Sequence, residues 1–463
     1  MVSIIISIIL ISGVHEKIMK ARIYYKDDAE RMEILKRHPD ILTGSAKEKY
    51  FEVFLNQKEY DEFKNLGIKI EIQIPDVEKY LREKYGYHVL INFGEYYTFS
   101  EMQQEMNQIA SQYPNITKLC TLGLSWYNKP ILMMKISDNP NSNENEPKGL
   151  FTGVHHAREP IGTSICMDFI RWLCQKYNQN DTATFLVNER EIYIVPVVNP
   201  DGYVYNEQDP WGNWRKNQRD NNNNGQFDSD YDGVDLNRNY GYMWGYDNNG
   251  SSPNPPDETY RGPSAFSEPE TQAIKNLCLM RPPQVAINFH SYGNYIITPW
   301  GYINAYPPEP DKTIYLAMAD TMNNWNGYTY GNASGTVGYV ANGTSDDWMY
   351  GEQNQKPKCF AYTFEVGDDF WEATNDTNLI IQRINQTRPC MIYLLYKAQN
   401  FVDIKEKIDF SKEREDKFII SYKEFSKIEN VYNLEGRKIK DVRKAGIYIL
   451  KEKEGNKKII YIK

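Results

Sequence analysis

KGLFTGVHHAREPIGTSICMDFIRWLCQKY, Lys148–Tyr177, holds a strand, a polar turn and a helix in one unbroken run. KGLFTGV is the short apolar stretch a buried strand needs, and IGTSICMDFIRWLCQKY is long enough for a helix. Between them lie two adjacent histidines, an arginine and a glutamate. Working outward, the pattern recurs. KPILMMKIS, REIYIVPVVNPDGYVY, PQVAINFHSYG and CFAYTFEVG each contain a strand, and several run out into polar residues. Ser100 with Gln103 reads as a capping box opening an amphipathic helix. Strands alternating with long helices predict a mixed α/β sheet, covered on both faces, over residues 86–402. In such sheets functional residues gather outside strand ends, which is where these polar residues fall.

The chain has 463 residues, so two or three domains are expected. Its 41% hydrophobic and 25% charged residues are those of a folded protein. A net charge of -9 argues against duplex nucleic acid as a partner. Six cysteines without a CxxC are too few for a disulfide scaffold, and the sequence leaves them free or paired.

There are only six histidines. His156 and Glu159 are three positions apart, so on one turn both can face one point. Imidazole and carboxylate are zinc ligands, and a catalytic site takes three such ligands and keeps a position open. His290, ending the apolar run VAINF, is the best third candidate. His15 falls beside the leader, and His38 and His88 lie in weakly patterned regions. His155, adjacent to His156, is expected to face elsewhere as a supporting or packing residue.

The flanking regions differ in character. MVSIIISIILISGVHE is apolar but too short to span a bilayer, and it reads as a signal peptide over residues 1–17, implying secretion. It lacks the usual basic start, and a buried strand is the alternative. Residues 18–85 form a small α+β unit in the order β-α-β-β-α-β, a ferredoxin-like arrangement in which Phe51 and Val53 alternate with Tyr50 and Glu52. Asp220, Asn222 and Asn224 before Gly225 resemble the first half of a calcium loop, without a glutamate at the twelfth position, so structural Ca2+ and a plain solvated loop both stand. Residues 403–463 turn charged and read as a short all-β module with turns at Glu435-Gly436, Lys444-Ala445-Gly446 and Glu454-Gly455-Asn456.

GVHHAREP, NPDGYVY, NWRKN, GVDLNRNY, FHSYG, GYVANGTSDDWMYG and YTFEVG appear in order along the chain. Together they resemble the zinc carboxypeptidase family M14, the carboxypeptidase A and B superfamily, and among its members the secreted bacterial, carboxypeptidase T-like ones. The resemblance implies an eight-stranded mixed sheet flanked by helices and one Zn2+ on His156, Glu159 and His290. It also implies Glu365 as catalytic base and Arg215 as oxyanion donor. Asn237 and Arg238 match the pair that clamps the substrate carboxylate, and Tyr339 matches the tyrosine that closes over it. Asp346 falls at the base of the pocket for the last side chain, where an aspartate goes with Lys or Arg termini. The N-terminal unit resembles the propeptide that covers the active site, so the chain's own propeptide is an expected inhibitor. The C-terminal unit resembles sorting or anchoring modules of secreted bacterial enzymes, with a surface-binding β domain as the alternative. Peptide and protein C-termini are the implied partners. Broad specificity, a cell-wall peptide substrate, and a non-catalytic peptide-binding module are the competing readings.

Overall fold

The computed structural model describes residues 17–38, 41–77, 79–80, 93–208, 212–398, 431–433, 446–451 and 457–462. The leader expected over 1–17 and most of the junction after Lys79 lie outside the described residues.

The N-terminal unit runs β1 (Met19–Tyr24), α1 (Asp28–Arg37), β2 (Thr43–Ser45), β3 (Tyr50–Leu55), α2 (Gln57–Asn65) and β4 (Ile70–Ile74). Its four strands lie in the order β2-β3-β1-β4. Both helices begin at a side-chain cap: Asp27 Oδ1 accepts from Glu30 N at 2.9 Å, and Asn56 forms a capping box with Glu59. Ala21, Ile23, Ile34, Phe51, Val53, Leu55 and Phe63 pack into one small core. Glu52, on the opposite face of β3, is also buried, because that face meets the larger unit and not water.

The larger unit opens with α3 (Phe99–Gln112) and continues through β5 (Thr117–Leu124), β6 (Pro130–Ile136), β7 (Lys148–Gly153), α4 (Ile161–Lys176), α5 (Asp181–Glu189), β8 (Glu191–Val195) and α6 (Pro200–Gln208). After a long loop segment come α7 (Pro269–Met280), β9 (Val285–His290), β10 (Tyr295–Thr298), α8 (Asp311–Asn326), β11 (Thr329–Asn332), α9 (Ser345–Gly351), β12 (Phe360–Glu365) and α10 (Thr377–Lys397). The cap of α3 is Thr98 with Glu101, not Ser100 with Gln103: Glu101 Oε2 accepts from Thr98 N at 2.9 Å. Phe99 belongs to the core, so burying it starts the helix a residue before Ser100.

The strands form one eight-stranded mixed sheet, β11-β10-β12-β9-β7-β8-β6-β5. Its centre, β12, β9, β7 and β8, is parallel. These strands are buried almost throughout, as parallel strands covered on both faces must be. Alternation divides them between two cores: Val285, Ile287 and Phe289 face one, and Ala286 faces the other. Helices α3, α4, α8 and α10 contribute to the first core, and α7 and α9 to the second. All six cysteines are free thiols. A separate antiparallel sheet joins β13 (Val431–Asn433), β14 (Gly446–Lys451) and β15 (Lys457–Ile462). No helix among the described residues is long and apolar enough to cross a membrane.

Candidate active site

The site lies beyond the carboxyl ends of the central parallel strands. β7 stops at Gly153 because its Cα packs against the start of α4; a Cβ there would lie 2.6 Å from the Pro196 carbonyl oxygen. The next residue, Val154, has φ +54°, a left-handed conformation that strains a β-branched residue by roughly 1–3 kcal/mol. α4 begins only at Ile161, so the three-residue spacing of His156 and Glu159 is served by a tight turn before it, in which Glu159 N donates to His156 O at 3.2 Å. His290 ends β9 and Glu365 ends β12. The two are register partners in adjacent parallel strands, so their side chains leave the same face of the sheet.

His156, Glu159 and His290 are buried and converge, with their nearest donor atoms within 4.8 Å of one another. His156 Nδ1 lies 2.8 Å from Glu159 Oε1, and His290 Nδ1 lies 2.9 Å from Glu159 Oε2. The two Nδ1 atoms face each other at 3.1 Å. On its far side, His156 Nε2 lies 3.1 Å from Asp235 Oδ1. A proton held there leaves the Nδ1 lone pair pointing into the cluster. Two buried imidazole nitrogens turned on each other beside a carboxylate fit a single Zn2+. Burial opposes the charge on Glu159, but His156 and His290 outweigh it and hold its pKa below the carboxylate range.

Asp235 is the residue that sequence reasoning did not single out, although it lies in GVDLNRNY. It accepts from Arg215 Nε and Nη2 at 3.1 and 2.9 Å, and from Asn237 N at 2.9 Å. Burial works against its charge, yet Arg215, Arg238 and His156 keep it well below the ordinary aspartate range. Arg238 sits on the short turn Leu236–Arg238. Its Nη1 donates to the Asn237 carbonyl at 2.9 Å, and its buried Nε has no hydrogen-bond partner among the described residues. Asn237 is spent differently: its Oδ1 accepts from Ser345 N at 2.9 Å, while its Nδ2 lies 3.4 Å from His290 Nε2.

Glu365 is raised well above the carboxylate range, first by desolvation and then by Glu159; Arg215 and Arg238 oppose that rise. Tyr339 is pushed up to about 12, chiefly by burial. Asp346 lies in the first turn of α9, side by side with Asp347. Asp347 accepts from Gly301 N at 2.9 Å and Tyr302 N at 3.1 Å, which anchors it to the wall. Asp346 is buried, and its pKa rises through that burial, while the neighbouring Thr344 hydroxyl and the charge of Arg238 oppose the rise.

A cavity of about 410 Å³ lies between the two units. Arg158, Arg215, Arg238 and Tyr339 line it from below, and Leu35, Ile41 and Phe54 of the N-terminal unit from above. That unit is fastened around the cleft. Ala46 N donates to Thr336 O at 2.8 Å, Thr43 Oγ1 to Tyr292 O at 3.0 Å, Tyr292 Oη to Glu52 at 3.0 Å and Tyr295 Oη to Gly44 O at 2.7 Å. Lys20 pairs with Asp369 at 3.2 Å, and the Phe51 ring lies 6.3 Å from that of Tyr339.

In the calcium-like loop, Asp220 and Asn222 accept backbone N–H groups of Asn224 and Gly225. Asp220 joins neither of the two metal-competent clusters among the described residues, the second being Asp138, Glu144 and Glu146. Nothing there supports bound Ca2+.

A family profile described as zinc carboxypeptidase, Peptidase_M14, matches residues 102–382. A zinc carboxypeptidase of Saccharothrix mutabilis subsp. capreolus is 34% identical over 280 residues, spanning 58% of this chain and 62% of that protein. Carboxypeptidase O of Bos taurus is 30% identical over 286 residues, 60% of this chain and 72% of its own. The crystal structure of thrombin activatable fibrinolysis inhibitor superposes with a TM-score of 0.63 at 20% identity, covering 82% of this chain and 99% of that one. Carboxypeptidase A of Helicoverpa armigera gives 0.66 at 20% identity, covering 82% and 98%. At such identity the two structures speak for the fold alone. These relatives establish the family without singling out a carboxypeptidase T-like or bacterial branch.

Proposed function

The chain belongs to the zinc carboxypeptidase family, and from that premise we propose that it removes the C-terminal residue of peptides and proteins. One observation carries the reading: Glu365 stands within electrostatic reach of Glu159 of the His156–Glu159–His290 donor set and of the Arg215 and Arg238 guanidinium groups that line the cavity. Zinc held by the three donors would supply Lewis acidity, polarising a carbonyl and bringing the pKa of a water toward ~7. Glu365 then takes the proton from water and passes it to the leaving amine. Arg215, fixed by Asp235, is the donor for the developing oxyanion.

Arg238 and Asn237 read the terminal carboxylate. An arginine fork can bind that group bidentately, and an internal peptide bond cannot satisfy it. Tyr339 closes over the substrate. Asp346 favours Lys or Arg as the last residue: an entering cation would pull its raised pKa back down and find a partner.

The N-terminal unit acts as an inhibitory propeptide, removed by cleavage near residues 79–87. Its fastening over the cavity supports this. The apolar leader directs the chain out of the cell, and the C-terminal strands serve sorting or anchoring.

The test is a peptide panel differing only in the last residue, incubated with the zinc-loaded, trimmed chain and followed by mass spectrometry. Stepwise loss of the last residue, fastest for Arg and Lys and absent for amidated peptides, is expected. Internal cleavage, or equal turnover of amidated peptides, would sink the reading.

A further inference from the structure

His155 takes no part in the donor set, yet it is fully buried beside it. Its Nε2 lies 2.8 Å from the Tyr240 hydroxyl. Its ring is near-parallel to that of His290, at 5.4 Å between centroids and 22° between planes. Its carbonyl accepts from Asn199 Nδ2 at 3.3 Å, which holds the backbone.

The two donor imidazoles are steadied by different means. His156 has a carboxylate behind it, with Asp235 at 3.1 Å from Nε2. Behind His290 Nε2 stands the Asn237 amide nitrogen at 3.4 Å, and the oxygen of that amide is already taken by Ser345 N. A contact of that length fixes a ring plane poorly, whereas a metal ligand must be aimed within roughly 10–20°. Something else has to set the plane of His290.

We propose that His155 is a positioning residue for His290: Tyr240 clamps its imidazole, and the clamped ring is the flat wall that sets the His290 plane. Tyr240 is a firm anchor. It is buried, its ring lies 5.6 Å from Phe266 and 6.0 Å from Trp348, and its N–H donates to Gly343 O at 2.9 Å. The doublet HH is thus two tasks on adjacent residues, one ring donating and one ring backing the partner donor across the sheet.

This inference rests on the zinc reading, and the experiment separates the two. Zn2+ affinity of the full chain is measured by chelator competition, and the visible spectrum is recorded after Co2+ substitution. His155→Ala should bind Zn2+ roughly tenfold or more weakly, as loss of ligand support does, with shifted Co2+ bands. Tyr240→Phe should weaken binding less, and the double variant should match His155→Ala alone, since the hydroxyl acts through the imidazole. His155→Phe, which keeps a flat ring, should lie closer to the original chain than His155→Ala does. Unchanged affinity and spectrum in His155→Ala, or additive losses in the double variant, would overturn the proposal. If His155→Ala does not fold, Tyr240→Phe decides: unchanged affinity and spectrum there overturn it equally. Failure of the unsubstituted chain to bind one tight Zn2+ would instead remove the zinc reading itself.

Discussion

On the floor of the cleft, Glu159, Asp235, Arg215, His156 and His290 hold one another through contacts of 2.8–3.1 Å between charged or ionisable groups. On its roof, the N-terminal unit meets the catalytic unit mainly through hydrogen bonds to backbone and tyrosine hydroxyls, with the Lys20–Asp369 ion pair and contacts to the Tyr339 and Tyr292 rings. The floor finds nearly all its partners within the catalytic unit. Removing the roof therefore leaves no buried floor charge uncompensated, whereas removing one floor partner does, and that costs about 3–5 kcal/mol. A proposed removable cover is compatible with a persisting site because of this division.

The largest expected effect tests whether Glu365 belongs to chemistry or to the metal-holding network. Glu365→Gln should lower turnover by roughly two to four orders of magnitude while metal analysis still finds one zinc. Loss of the zinc along with activity would move Glu365 into the network. Next is the proposed selector of the last residue. Asp346→Ile should reduce the Arg-to-Phe ratio of kcat/KM on matched peptides by about tenfold or more; an unmoved ratio would return the enzyme to broad specificity.

The roof is tested at Gly44, where an added Cβ would lie 2.2 Å from the Val337 carbonyl oxygen and 2.8 Å from the Phe51 ring. Gly44→Val cannot dock there without displacement. The uncut chain should then hydrolyse a short peptide several-fold faster, since each ~1.4 kcal/mol of lost docking is a factor of ten in roof opening. Equal activity of the two uncut chains would count against the roof as inhibitor.

The smallest effect probes the strained spot behind the floor, where Asn217 Nδ2 is shared by Glu268 and Glu270 at 2.8 and 3.2 Å. Burial, then the charge of Glu268, pushes Glu270 up from 4.5 to about 8. Between those values the folded chain holds a proton that the unfolded chain has released. The stability this provides is complete below pH 4.5 and is lost as pH rises toward 8. Glu270→Gln should flatten that slope and raise Tm at pH 8 by a few degrees, about what 1–2 kcal/mol gives in a unit of this size. Parallel slopes in thermal melts at pH 5 and 8 would show that Glu270 does not carry the dependence.

The central strands and the metal donors were legible because each is a short local string. VAINFH and YTFE are apolar runs ending in a polar residue, and their parallel register alone brings His290 beside Glu365. The sheet's edges were harder to read. β5 is half-buried with an irregular pattern, and β10 and β11 have four residues each, too few to show a period. Asp235 escaped notice because its role is relational: its partners His156 and Arg215 lie 79 and 20 positions away. The placement of His155 depends on the left-handed bend at Val154, which no residue preference announces, since β-branched residues avoid that conformation. The burial of Glu52 follows from docking between units, information that no window within either unit contains.

The six unpaired thiols bear on where this protein can be made. Five of them are buried, and no cross-link stands between the unfolded chain and its native form. Folding therefore needs no oxidant and can proceed in a reducing compartment. A peptidase that matures under those conditions would meet the C-termini of its own host's proteins. If the N-terminal unit is the inhibitor proposed above, a recombinant gene that omits it should be judged first by its toxicity.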